Sequence, residues 1–272
     1  MKKHAGTIIL VLIFVIGLSV MLYPTVSNFI NQRNQSKAVS AYKETVSQMT
    51  EEDMSSYFQA AYDYNAALAS LDGGFYDPSD AGDYENTLNV GNGVMGYITI
   101  EKLNVELPIY HGTDETVLEV AAGHLKGTSL PVGGTSTHAV ISAHRGLPSA
   151  KLFTDIDKLE EGDTFTLTIL DQLLTYEVDK ISIVLPDEVE DLQIVEGEDL
   201  CTLMTCTPYG INTHRLLVRG HRVENAETTN IHVTADAVRI EPYIVASIMA
   251  VPILLLLFLG LLFRNKRRKN EK

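Results

Sequence analysis

The chain has 272 residues and a formal charge of −14, with both ends apolar and basic and an acidic middle. Residues 24–242 carry 13 Lys+Arg against 34 Asp+Glu, a formal −21. That middle part, about 200 residues, is enough for one domain with a sizeable core. It lacks the cationic excess that nucleic acid requires, so no nucleic-acid partner is expected.

Thr7 to Tyr23 is an apolar run that follows Met1-Lys2-Lys3. A spanning helix needs roughly 20 apolar residues, with a range of about 17–25, and this run just qualifies. A cleaved signal peptide is the competing interpretation, but no small-x-small cleavage site follows: the run ends Met21-Leu22-Tyr23-Pro24. Residues 1–24 are therefore expected to be an N-terminal anchor. From Asn34 to about Leu71, Tyr57, Ala61, Tyr64, Leu68 and Leu71 recur at helical spacing, which predicts one or two amphipathic helices. Leu71 to Ser79 (LDGGFYDPS) is a loop by its Gly, Asp and Pro content, either a lid or a plain linker. Residues 25–92 together form this helical and loop segment.

Short β-type runs follow at Val94–Ile100, Val105–Tyr110, Ala139–Ala143, Thr164–Leu170, Leu174–Leu185, Leu200–Thr205 and Leu216–Val218. Val117–Ala122 and Ser149–Leu159 are expected to be short helices. Many short strands punctuated by turns make residues 93–225 a β-barrel or sandwich, so the fold class is mainly β. Residues 226–242 read as a linker. Tyr243–Phe263 is a second apolar run containing Pro252, and residues 264–272 form a basic tail. With positive charge at the outer end of each run, both termini are expected in the cytoplasm and the middle outside the cell membrane, held to lipid by two anchors.

Cys201 and Cys206 are the two cysteines. Five residues of strand put them on opposite faces and about 17 Å apart, whereas a disulfide needs Cα atoms within about 7 Å. A free thiol outside the cell points to catalysis. Strand-formers lead into Cys206, and Pro208 and Gly210 break the strand just after it, so Cys206 is expected at a strand end beside a loop. Cys201, inside the apolar run, is expected in the core. A free thiol has a pKa of about 8.5 and needs a basic or cationic partner to react. Of His111, His124, His138, His144, His214, His221 and His232, spacing weakly favours His144, which follows the strand opened by His138. An oxyanion formed in acyl transfer also needs a cation or donors. Arg215 lies beyond the Pro208–Thr213 turn, and a hairpin would return it alongside Cys206; Arg219 and Arg222 are rivals. No metal-ligand spacing and no phosphate-binding glycine loop is present, so neither metal nor cofactor is expected.

Thr202-Leu203-Met204-Thr205-Cys206 resembles the Thr-Leu-x-Thr-Cys signature of the sortases, cysteine transpeptidases of Gram-positive cell surfaces. The stretches Leu107–Gly112, His144–Phe153 and Thr205–Arg222 resemble the pilus-building class C branch in particular. The resemblance implies an eight-stranded sortase barrel with short helices, an N-terminal helical and lid segment, and a transmembrane helix at each end. It implies that Cys206 cuts an Leu-Pro-x-Thr-Gly-like C-terminal sorting signal after Thr through a thioacyl-enzyme. His144 would move the protons, Arg215 would steady the oxyanion or the bound signal, and Leu203 and Thr205 would help bind the signal. In the pilus branch a pilin lysine resolves the thioacyl group; the alternative acceptor is peptidoglycan, which would make the enzyme an anchorer of surface proteins. An inactive surface scaffold on the same barrel is a third possibility, opposed by the intact Cys206, His144 and Arg215. The branch's lid carries Asp-Pro-aromatic. Here Asp77-Pro78 is followed by Ser79, with Phe75 and Tyr76 standing before the motif instead.

Overall fold

The computed structural model describes residues 5–71, 82–91 and 93–225. Of the described residues, those from 30 onward form one compact unit, and residues 5–29 fall outside it. Helix α1 runs from Ala5 to Ser47 and contains Pro24. Over Val11–Ser47 it is long and apolar enough to cross a membrane. Sequence patterning separates the apolar run Thr7–Tyr23 from a polar helical segment; the structure makes them one helix. The second apolar run, 243–263, its flanking linker and basic tail, and the Asp77-Pro78 loop lie outside the described residues.

Within the compact unit, α1 presents Asn31, Gln35, Val39 and Tyr42 at spacings of three and four. Asn31 Nδ2 donates to Ser149 O and Gln35 Nε2 to Val120 O. Tyr42, 5% exposed, donates through its hydroxyl to Met95 O at 2.9 Å and accepts from Leu170 N–H at 2.7 Å. Helix α2, Glu51–Ser70, begins with a capping box in which Thr50 and Asp53 satisfy each other's backbone N–H. It buries Phe58, Ala61, Tyr64, Asn65 and Leu68. The Asn65 amide grips Leu130 at both ends, its nitrogen donating to Leu130 O and its oxygen accepting from Leu130 N–H. A buried amide satisfied in this way fixes the helix at one place along the barrel.

Eight strands follow: β1 Val94–Ile100, β2 Val105–His111, β3 Ala122–His124, β4 Thr137–Ser142, β5 Thr164–Ile169, β6 Gln172–Val184, β7 Asp199–Thr207 and β8 His214–Val223. They close a barrel in the order β1-β2-β3-β4-β7-β8-β6-β5. The β2–β3 and β4–β7 pairs are parallel and the rest antiparallel. The expected helix at 117–122 is a single turn, α3, Glu115–Leu118, and β3 begins at Ala122. The expected helix at 149–159 is a series of turns with a 3-10 turn at Ile156–Lys158. Leu152 sits at φ 41°, which interrupts right-handed helix.

The barrel has two apolar faces. Ile98, Ile109, Ile141, Phe165, Leu167, Tyr176, Cys201, Leu203 and Val218 fill the interior. Outside it lies a smaller cluster of Val140, Leu192 and Leu217, with Leu125, Val184 and Met204 packed against it. A bulge between Val178 and Lys180 lets β6 serve both, since Val178 belongs to the interior and Val184 to the outer cluster.

Candidate active site

Cys206 is the penultimate residue of β7, and the β7–β8 hairpin pairs it with Arg215. The hairpin expected from the Pro208–Thr213 turn is thus present. Strand periodicity puts Cys206 on the face of Met204, the outer face, and puts Arg215 on the face of Leu217, also the outer face. Cys206 is half-buried, while Cys201 is fully buried in the interior, and both are free thiols. Burial, followed by the charge of Asp199, pushes the Cys201 thiol well above its ordinary pKa and keeps it protonated. The core assignment of Cys201 therefore holds.

His144 reaches the same place through the parallel β4–β7 pair. The register runs from Thr137↔Asp199 to Ser142↔Met204. Beyond it, Ala143 N–H donates to Met204 O at 3.2 Å, and Thr205 Oγ1 donates to Ala143 O at 2.8 Å. Extending this register brings His144 level with Cys206. Continued past Ser142, the last residue of β4, the alternation of His138, Val140 and Ser142 would put His144 on the outer face as well. Its carbonyl accepts from Phe153 N–H at 3.1 Å, which fixes the chain as it leaves the strand.

The rivals are placed elsewhere. His138 is level with Leu200, six residues back along β7, and is 1% exposed. It is held by Gln193 O on Nδ1 and Thr202 Oγ1 on Nε2. Burial first lowers its pKa, with the backbone bond to Gln193 opposing. His124 is buried with its ring between Tyr84 and Ser129, and burial lowers its pKa to about 4. His111 bridges the carbonyls of Gly93 and Thr87. His214 pairs with Thr207 but alternates onto the opposite face from Cys206. Arg219 forms a two-bond ion pair with Asp179 at 2.9 and 3.0 Å. Arg222 lies over the Tyr176 ring and donates to Leu173 O at the far end of the barrel. Arg215 alone of the three adjoins Cys206; its Nη1 donates to the carbonyls of His214 and Asn212.

Leu203 and Thr205 are not brought to this face. Leu203 is in the barrel interior, and Thr205, 1% exposed, spends its hydroxyl on Ala143. Their position makes them supports beneath the site. Tyr209, which sequence patterning did not single out, lies in the β7–β8 turn with its ring against Gly146. No group of three or more His, Cys, Asp or Glu side chains suited to a metal occurs among the described residues.

A family model described as the sortase domain matches residues 98–223. Sortase C1 of Streptococcus agalactiae is 49% identical, with a TM-score of 0.66 over 70% of this chain and 100% of that one. The chain belongs to the sortase family. A second similar structure is the sortase C of Streptococcus pneumoniae, 46% identical with a TM-score of 0.64, covering 70% of this chain and 97% of its own; that protein is described for its catalysis and pilin substrate specificity. Among curated sequences, sortase A of S. agalactiae is 32% identical over 137 residues, 49% of this chain. The match spans 55% of that relative's length, so it covers little more than half of it. The sortase match contains Cys206, His144 and Arg215 and excludes both apolar runs.

Proposed function

We propose that this sortase is a cysteine transpeptidase that joins pilin subunits. The observation that carries the proposal is the pairing of Cys206 with Arg215 at the end of β7, toward which the parallel β4–β7 register leads His144. A half-buried thiol at a strand end can meet an extended peptide lying on the outer face. In the proposed reaction, the Cys206 thiol passes its proton to His144, and Sγ attacks the Thr carbonyl carbon of an Leu-Pro-x-Thr-Gly-like signal. Arg215 stabilises the oxyanion that forms. His144 gives a proton to the departing glycine amine, and a thioester joins Cys206 to Thr. A pilin lysine amine then attacks the thioester. His144 takes its proton, the C–S bond breaks, and an isopeptide bond remains. The outer apolar cluster beside Met204 and Val184 suits the Leu-Pro part of the signal.

The similarity to sortases C supports pilin lysine as the acceptor, rather than peptidoglycan. The domain plan proposed for residues 1–24, 25–92, 93–225, 226–242, 243–263 and 264–272 gives an extracellular barrel between two membrane anchors with both termini cytoplasmic. Among the described residues, α1 is the one helix long and apolar enough to cross a membrane. Asp77 and Pro78 are proposed to belong to a lid, with Asp77 available to pair with Arg215.

The test is mass spectrometry of the full chain in detergent after incubation with an Leu-Pro-x-Thr-Gly peptide. A mass gain equal to the peptide cut after Thr, mapped to Cys206, supports acyl-enzyme formation. Adding purified pilin should then give a covalent ladder; an adduct without a ladder favours peptidoglycan as acceptor. Cys206→Ala should abolish the adduct while leaving the fold nearly intact. Retention of a tenth of the activity in that variant would refute the nucleophile assignment.

A further inference from the structure

The residues that follow His144 and Cys206 meet. The chain leaves β4 as His144-Arg145-Gly146 and leaves β7 as Cys206-Thr207-Pro208-Tyr209. The Arg145 side chain is only 11% exposed and ion-pairs through Nη2 with Asp157 in the 3-10 turn at Ile156–Lys158. Its Nη1 lies 3.5 Å from Thr207 Oγ1, and its guanidinium carbon lies 6.0 Å from the Tyr209 ring centre. The adjacent Gly146, at φ 79°, donates its N–H to Thr154 Oγ1 at 3.2 Å, and a Cβ added there would meet the Tyr209 ring at 3.1 Å. One cation therefore touches the residue after Cys206, the third residue after Cys206, and a 3-10 turn whose Ile156 N–H bonds to the carbonyl of Phe153, the residue whose own N–H holds His144 O.

Stability alone does not account for this arrangement. A largely buried guanidinium loses its hydration, and Nε is buried without a hydrogen-bond partner. The partner Asp157 side chain is 41% exposed, so the solvent-screened pair returns little of that loss. What a planar, always-charged fork does provide is fixed geometry toward several groups at once. We propose that Arg145 is a positioning residue, which sets the spacing of His144 from Cys206 by tying together the segments that leave β4 and β7. The proposal rests on the roles given above to Cys206 and His144.

The test uses the full chain in detergent with Arg145→Met, Arg145→Lys and Asp157→Asn. Two quantities are measured well below each variant's unfolding temperature. One is the pH profile of Cys206 alkylation by iodoacetamide, with buried Cys201 as internal control. The other is the rate of acylation by an Leu-Pro-x-Thr-Gly peptide. Displacing catalytic groups by about 1 Å can cost about 100-fold. Arg145→Met is expected to lower the acylation kcat by 10- to 100-fold, leave KM within about twofold, and shift the alkylation profile. Arg145→Lys is expected to recover part of the loss, and Asp157→Asn to lose less than Arg145→Met in the same direction. An unchanged profile with activity falling only as the folded fraction falls would reduce Arg145 to a structural residue and overturn the proposal. If Arg145→Met does not fold, the other two variants decide by the same criteria. A wild-type Cys206 that alkylates no faster than Cys201, together with an active Cys206→Ala, would overturn the nucleophile assignment and this proposal with it. Wild-type behaviour in Arg145→Met would overturn the Arg145 proposal alone.

Discussion

Thr205→Val separates support of the site from its chemistry. Thr205 is 1% exposed, and its hydroxyl donates at 2.8 Å to the carbonyl of Ala143, which is itself 2% exposed. Valine keeps the β-branched shape but removes the donor, so the Ala143 carbonyl loses a partner where water does not reach. Leaving a buried acceptor short of its bond costs about 1–3 kcal/mol. The methyl that replaces the hydroxyl returns less than about 1 kcal/mol of that. A net loss of about 1–2 kcal/mol follows. For a folded unit of about 200 residues this lowers Tm by roughly 2–8 °C. Because His144 is the next residue after Ala143, acylation should slow by about tenfold, beyond what the loss of folded protein explains. Thr205→Ser is the control, since it keeps the hydroxyl and loses a methyl, costing about 1 kcal/mol. Thermal unfolding and peptide-adduct formation are measured on the same preparations. The serine variant should acylate within about twofold of wild type despite its lower Tm. Equal slowing in the serine and valine variants would refute the argument that this hydrogen bond positions His144.

Arg215→Ala should reduce acylation by about 100- to 1,000-fold, the cost of losing one oxyanion donor, with Tm nearly unchanged; peptide-adduct kinetics test it, and a loss under tenfold would reassign the oxyanion role. His124 is buried neutral in the fold, its pKa lowered to about 4 from the ordinary imidazole value of about 6.5 because burial opposes its charge. The unfolded chain therefore binds the extra proton first as pH falls, and up to about 3 kcal/mol of stability is lost between pH 6.5 and about 4. Urea midpoints at pH 7 and 5 should differ in the wild type and differ less in His124→Gln; equal differences would exclude His124 as the source. Gly123→Ala should cost about 3 kcal/mol or prevent folding, because a Cβ there would overlap the Gly112 carbonyl oxygen and lie 3.2 Å from Val117 Cγ1; an unchanged urea midpoint would contradict the close β2–β3 approach.

Local sequence carries the hairpin at the candidate site and little of its long-range half. Seven of the eight strands show in the alternation of β-formers, and Pro208 with Gly210 marks the β7–β8 turn, so Arg215 could be set beside Cys206 from spacing alone. β3 could not be found in the same way: three residues, Ala122-Gly123-His124, are too short to show a period, and Gly123 is there for its contact with Gly112. Spacing favours His144 only weakly because its partner strand lies some 60 residues later, and no local pattern states that β4 runs parallel to β7 with Ser142 level with Met204. The Arg145–Asp157 pair is hidden for the same reason, as is the β6 bulge that turns Val184 to the outer cluster.

The period of two also decides what each residue of the Thr-Leu-x-Thr-Cys stretch can do. With Cys206 on the outer face, Met204 and Thr202 must share it, and Leu203 and Thr205 must face the interior. A peptide on the outer face can therefore touch the unspecified position of that signature more readily than its fixed leucine. Leu203 packs the barrel, and Thr205 ties β7 to the end of β4. In this chain Leu203 and Thr205 hold the strand that presents the Cys206 thiol, and Met204 is the neighbour that shares its outer face.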